Sequence, residues 1–82
     1  MVISVMKDKK ARPLSAVKAG EKVRLKRIDA GQSLNARLAS MGLVTNVEIM
    51  VVNNGHSGSF MIKVKNSKMV LGRGIAHKIM VF

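Results

Sequence analysis

The side chains in this 82-residue chain that could do chemistry are two histidines, four carboxylates and seven methionines. Acid–base catalysis needs paired carboxylates, or a His held by an orienting partner. Asp8, Glu21, Asp29 and Glu48 are scattered instead, two of them next to basic residues, and they read as surface charge. A metal site would have to draw on His56, His77, Glu48 and methionines, because no Cys/His or HExxH spacing exists. His56 reads as a loop residue and His77 as a solvent-facing strand residue. Met50, Met61, Met69 and Met80 fall inside expected strands, where methionine more often fills irregular core space. A phosphate-binding loop needs a glycine-rich turn that ends in Lys and Ser or Thr and opens a helix. Gly55-His56-Ser57-Gly58 lacks the Lys and lies between strands, and Gly72-Arg73-Gly74 is no closer. Both read as turns, and no catalytic, cofactor or metal residue is assigned.

Charge points to partners. Fifteen Lys and Arg stand against four Asp and Glu, a formal net charge of +11. So small a domain with that field attracts nucleic acid, anionic lipid or an acidic protein surface. Basic barrels that bind single-stranded nucleic acid add aromatic platforms on which bases stack. Trp and Tyr are absent here, only Phe60 and Phe82 remain, and Phe60 alternates with Ile62 and Val64 as a core residue would. A nucleic-acid-binding barrel is therefore the alternative reading. There is no cysteine, which excludes disulfides and thiolate metal sites and suits a reducing compartment. No stretch approaches the roughly 20 apolar residues that cross a bilayer. The expected location is the cytoplasm.

The elements that must position any partner contact are short. Met1–Arg12 is a flexible basic leader, and the folded domain runs from residue 13 to 82. Pro13–Val17 makes one turn, and Lys18-Ala19-Gly20-Glu21 a tight turn. Val23, Leu25 and Ile28 mark a strand. Strict alternation would bury Arg27, so a bulge is expected near Lys26. Leu34, Leu38 and Met41 recur at helical spacing over Ser33–Met41. Ser33 is the expected N-cap. Gly42 stands where a left-handed cap is needed, and Leu43 should fold back on Leu38. Val47, Ile49 and Val51 share one face of the next strand. Phe60, Ile62 and Val64 do so in the following one, alternating with Met61, Lys63 and Lys65. Asn66-Ser67 reads as a two-residue hairpin turn. Gly72–Ala76 reads as an irregular crossing, and Ile79 and Val81 as the last strand. About five short strands and one short helix imply a mainly β fold, a partly open antiparallel barrel.

Several of these stretches resemble the ferrous iron transport protein A (FeoA) family. Leu14-Ser15 followed by Lys18-Ala19-Gly20-Glu21 is similar to that family's opening. Arg37-Leu38-Ala39-Ser40-Met41-Gly42-Leu43 is similar to its most recognisable stretch, an Arg-Leu pair followed by Met-Gly-Leu. Val47-Glu48-Ile49, the hairpin, the segment from Leu71 to Ala76, and Ile79 also match. Val17, Ala19, Asn46 and Gly72-Arg73-Gly74 depart from the family's usual residues. Asn46 replaces a frequent Gly, and Asn tolerates the same left-handed turn. The resemblance implies an SH3-like barrel and a small cytoplasmic accessory protein. Its partner would be a membrane ferrous iron permease that carries a cytosolic GTP-binding domain. It also implies a family-level association with transition-metal binding, and kinship with the C-terminal domain of metal-dependent repressors.

Together these readings place a docking surface at the end of the helix. Leu34 and Leu38 supply its buried face. Met41 lies at the edge of that stripe, and Arg37 about 100° from Leu38. Adaptable Met and interface-favoured Arg suit a partner contact, with Gly42 and Leu43 closing the corner. The competing reading makes Met41 and Leu43 core and Arg37 solvated. Arg24, Lys26 and Arg27 would add electrostatic steering.

Overall fold

Apolar residues at alternate positions build strands that each turn one face inward. The computed structural model describes residues 11–55 and 59–82. Along the chain run β1 (Arg12–Pro13), a 3-10 turn (Leu14–Ala16), β2 (Lys22–Ile28), α1 (Gln32–Ser40), β3 (Glu48–Asn54), β4 (Phe60–Val64), β5 (Ser67–Leu71), α2 (Arg73–Lys78) and β6 (Ile79–Val81). The strands form one antiparallel sheet in the order β1-β6-β2-β3-β4-β5. The chain's last strand thus returns to lie between its first two. Register shifts between Leu25 and Arg27 and between Val51 and Asn53 mark two bulges. Bulges sharpen local twist, and here they curl the sheet into an open barrel.

Val23, Leu25, Ile49, Val51, Phe60, Ile62, Val64, Leu71, Ile79 and Val81 point into the barrel, joined by Leu14, Val17, Leu38, Leu43 and Ala76. No polar or charged side chain is buried among the described residues. Asn54 helps to close the barrel's open side. Its amide donates to the carbonyls of Ser15 and Val17, and its own carbonyl accepts from the Arg73 guanidinium at 2.7 Å.

The bulge after Leu25, the turn at Gly20 (φ +92°) and the left-handed Asn46 (φ +72°) lie where the sequence places them. Other details differ. Arg12 belongs to the sheet, not to a leader, because its backbone pairs with Val81. That pairing makes a sixth strand. The hairpin turn is Lys65-Asn66, one residue earlier than expected, with Ser67 opposite Val64 and Lys65 at φ +59°. Gly72–Ala76 is not irregular. Gly72 is the N-cap of α2, whose Ala76 is buried. His77 is therefore an exposed helical residue, not a strand residue. His56 and the leader before Ala11 lie outside the described residues.

The end of α1 has full Schellman geometry. Gly42 lies at φ +101°. Its N–H donates to the Ala39 carbonyl at 3.0 Å, and the Leu43 N–H to the Leu38 carbonyl at 2.9 Å. A Cβ built on Gly42 would meet only Val64, at an ordinary 3.9 Å. The cost of a side chain there is therefore conformational. Gly42→Val is expected to lower stability by more than about 1 kcal/mol. Denaturant unfolding checks this, and an unchanged midpoint would refute the cap argument.

Candidate docking surface

The beginning of α1 is set by backbone carbonyls, not by the serine expected there. Gly31 is the N-cap, and no side chain caps the helix. Ser33 sits inside the helix and is exposed. Asn35 does the anchoring: its side-chain amide donates to the Ala30 carbonyl at 2.9 Å, with longer bonds to Ile28 and Gly31. These bonds tie α1 to the end of β2.

At the other end, Leu43 is 1% exposed and belongs to the core. The cap turns its side chain inward, which removes it from the set of contact residues. Its neighbours do the opposite. Met41 is 48% exposed and Val44 47%. The Val44 N–H donates to the Gly42 carbonyl at 3.0 Å, so Met41 to Val44 form a fixed corner. Beside it lies a cleft of about 260 Å³, lined in part by Arg27, Ala39, Val44 and Thr45. Arg37 is exposed in the last turn of α1, where a cation complements the helix dipole.

The three cations of β2 do not act as one cluster. Arg27 Nε donates to Asp29 Oδ1 at 2.8 Å, so its charge is already paired. Arg24 faces a second, larger cleft and donates to the Asn46 carbonyl at 2.9 Å. Lys26 is exposed at the bulge and lines neither cleft. The structure thus joins Arg27 with the α1 corner and sends Arg24 elsewhere.

Groups with catalytic or ligating potential stay dispersed. Ser15 Oγ and His77 Nδ1 lie 3.3 Å apart on an exposed surface. Glu48 faces Lys22 Nζ at 3.9 Å. Among the described residues no three His, Cys, Asp or Glu side chains gather into a metal-holding group, and no helix is long and apolar enough to cross a membrane.

The model of the FeoA domain matches residues 12–81. The chain belongs to the FeoA family. It is 44% identical over 69 residues to the Methanocaldococcus jannaschii protein named "Putative Fe(2+) transport protein A", which covers 84% of this chain and 83% of that one. The crystal structure of an iron uptake regulatory protein, FeoA, superposes with a TM-score of 0.79 at 30% identity. That match covers 90% of this chain and 97% of the other. A manganese-dependent transcriptional repressor superposes equally well, at 0.79 and 25% identity, but only 41% of its chain is involved. The FeoA fold is thus a separate protein in one setting and part of a longer chain in another. The SH3-like barrel expected from the Met-Gly-Leu cap is the fold observed.

Sequence reasoning missed Val44 and the lysines of β4 and β5. Val44 follows the cap and has no periodic partner, so nothing local marks it as exposed. Lys63 and Lys65 could have been found from their alternation with Ile62 and Val64.

Proposed function

We propose that this FeoA-family chain is an accessory protein of ferrous iron uptake, working in the cytoplasm. It docks on the cytosolic part of a permease that carries a GTP-binding domain. Its Met41–Val44 corner and Arg37 form the contact. The observation that carries this reading is the corner itself: two large apolar side chains, about half exposed, held by the helix cap beside the exposed Arg37. Adaptable methionine beside a second exposed apolar side chain suits a contact that a partner would cover. The 44% identity to a chain named for Fe(2+) transport supports the iron-uptake setting.

The protein acts by binding, not catalysis. The Ser15–His77 pair is exposed at 3.3 Å, and among the described residues no third side chain hydrogen-bonds the imidazole to orient it. Calorimetric titration into the permease's cytosolic part is expected to give saturable binding. The isolated chain is expected to hydrolyse no GTP and to show no micromolar site for ferrous iron. An iron site of that strength would overturn the second expectation, and Glu48, His56 and His77 would be the first residues to exchange. A nucleic-acid-binding barrel is the alternative, favoured by the +11 charge alone. Its mark would be RNA affinity that persists at physiological salt and falls steeply above it.

A further inference from the structure

The outer face of the sheet carries a row of lysines that the docking corner does not use. Lys22 in β2 lies opposite Met50 in β3, Met50 opposite Lys63 in β4, and Lys63 opposite Lys68 in β5. Directly paired residues of antiparallel strands share a face, with their Cβ atoms about 4.5–5.5 Å apart. In the next row Arg24 lies opposite Glu48. Lys65 projects from the β4–β5 turn. Between them is a cleft of about 520 Å³, lined by Lys22, Arg24, Glu48, Met50, Lys63 and Lys65 with Asn46 and Val47.

This arrangement does not serve the fold. Like charges set directly opposite in a sheet are destabilising, yet Lys63 faces Lys68. Lys22 reaches Glu48 at 3.9 Å. Lys63, Lys65 and Lys68 have no carboxylate within salt-bridge distance among the described residues. Five cations therefore share one carboxylate.

We propose that this groove binds an acidic peptide segment of a partner protein, its carboxylates seated on Lys63 and Lys65 over the apolar floor of Met50, with Lys68, opposite Lys63 on the neighbouring edge strand, adding charge beside the groove. The lining favours an acidic peptide over a single-stranded nucleic acid, whose bases need aromatic platforms to stack on. The cations are mostly lysines, point charges that attract carboxylates without fixing their geometry. The single Arg24 is engaged with the Asn46 carbonyl. No aromatic ring lines the cleft. Phe60 is core, and Phe82, 38% exposed, pairs with Arg24 outside the cleft. The inference stands apart from the iron-uptake reading, since it concerns another face and another ligand.

The test is fluorescence anisotropy with labelled hexaglutamate, against hexaglutamine and a short oligouridylate, at low and physiological salt. Hexaglutamate is expected to bind and hexaglutamine not to bind. Lys63→Gln with Lys65→Gln is expected to weaken hexaglutamate binding at least tenfold. Lys18→Gln with Lys78→Gln removes the same charge outside the groove and is expected to change it less than about twofold. Lys68→Glu, on the edge strand, is the second variant. It is expected to raise the thermal midpoint by about 2–4 °C, by replacing a repulsive cross-strand pair with an attractive one, and to weaken the peptide. Equal losses in the two double variants would mean bulk charge attraction and overturn the groove. Tighter binding of oligouridylate than of hexaglutamate would overturn the choice of ligand, and an unchanged Lys68→Glu would overturn the row's role.

Discussion

Leu43→Ala is expected to cost about 2–5 kcal/mol, the range for truncating a buried leucine. A single-core domain of this size holds only about 3–5 kcal/mol of net stability, so much of the variant should be unfolded at room temperature. The physical reason is the cap. The Leu43 N–H is bonded to the Leu38 carbonyl at 2.9 Å, which directs the side chain into the core, where it is 1% exposed. Circular dichroism during urea unfolding measures the loss. The competing assignment, Leu43 as a partner contact, expects the reverse: an unchanged midpoint and weakened binding.

Arg37→Glu is expected to do what Leu43→Ala does not. Arg37 is exposed, and the Ser40 hydroxyl donates to its carbonyl at 2.8 Å, a bond its side chain does not make. A Glu in the last turn opposes the helix dipole, at a cost of about 0.3–1 kcal/mol, so the fold should survive. Binding to the permease's cytosolic part should fall tenfold or more, about 1.4 kcal/mol. Met41→Ala should weaken it as well, by removing the apolar anchor beside the charge. Lys26→Glu should act mainly at low salt, because an exposed cation away from both clefts contributes steering more than contact. If Arg37→Glu bound as tightly as the wild type while Lys26→Glu did not, the contact would be a diffuse basic face.

What the sequence makes legible is local. The recurrence of Leu34, Leu38 and Met41 followed by Gly42 specifies both helix and cap, because only a positive φ lets the chain turn back there. Alternation in Phe60, Ile62 and Val64 identifies the inward face of β4 without any partner strand. Other features depend on distant contacts. Ser33 looked like the N-cap because serine commonly fills that role, yet Asn35 fixes the helix start by reaching carbonyls that precede it. Arg73–Lys78 offers Gly74 against a helix and no 3.6-residue pattern. It forms because Ala76 packs against the core beside the 3-10 turn. Arg12 gave no strand signal, since its pairing with Val81 joins the two ends of the described chain. The docking corner was half visible. Met41 and Arg37 could be named from helical geometry, while Val44's exposure and Leu43's burial follow from the turn after the cap. Each lysine of the outer row can be read as outward from its own strand. Their alignment through Met50 cannot, because register between strands is a long-range property.

On the proposed function, this FeoA-family chain docks its α1 corner on the cytosolic part of a ferrous iron permease. The most direct test is a calorimetric titration of that cytosolic part with the wild-type chain, Arg37→Glu and Met41→Ala at physiological ionic strength. The expected result is saturable binding by the wild type, a loss of tenfold or more for Arg37→Glu, a smaller loss for Met41→Ala, and unchanged folding of both variants. Equal affinity for all three chains, or no wild-type binding under conditions where the same protein holds single-stranded RNA, would contradict it.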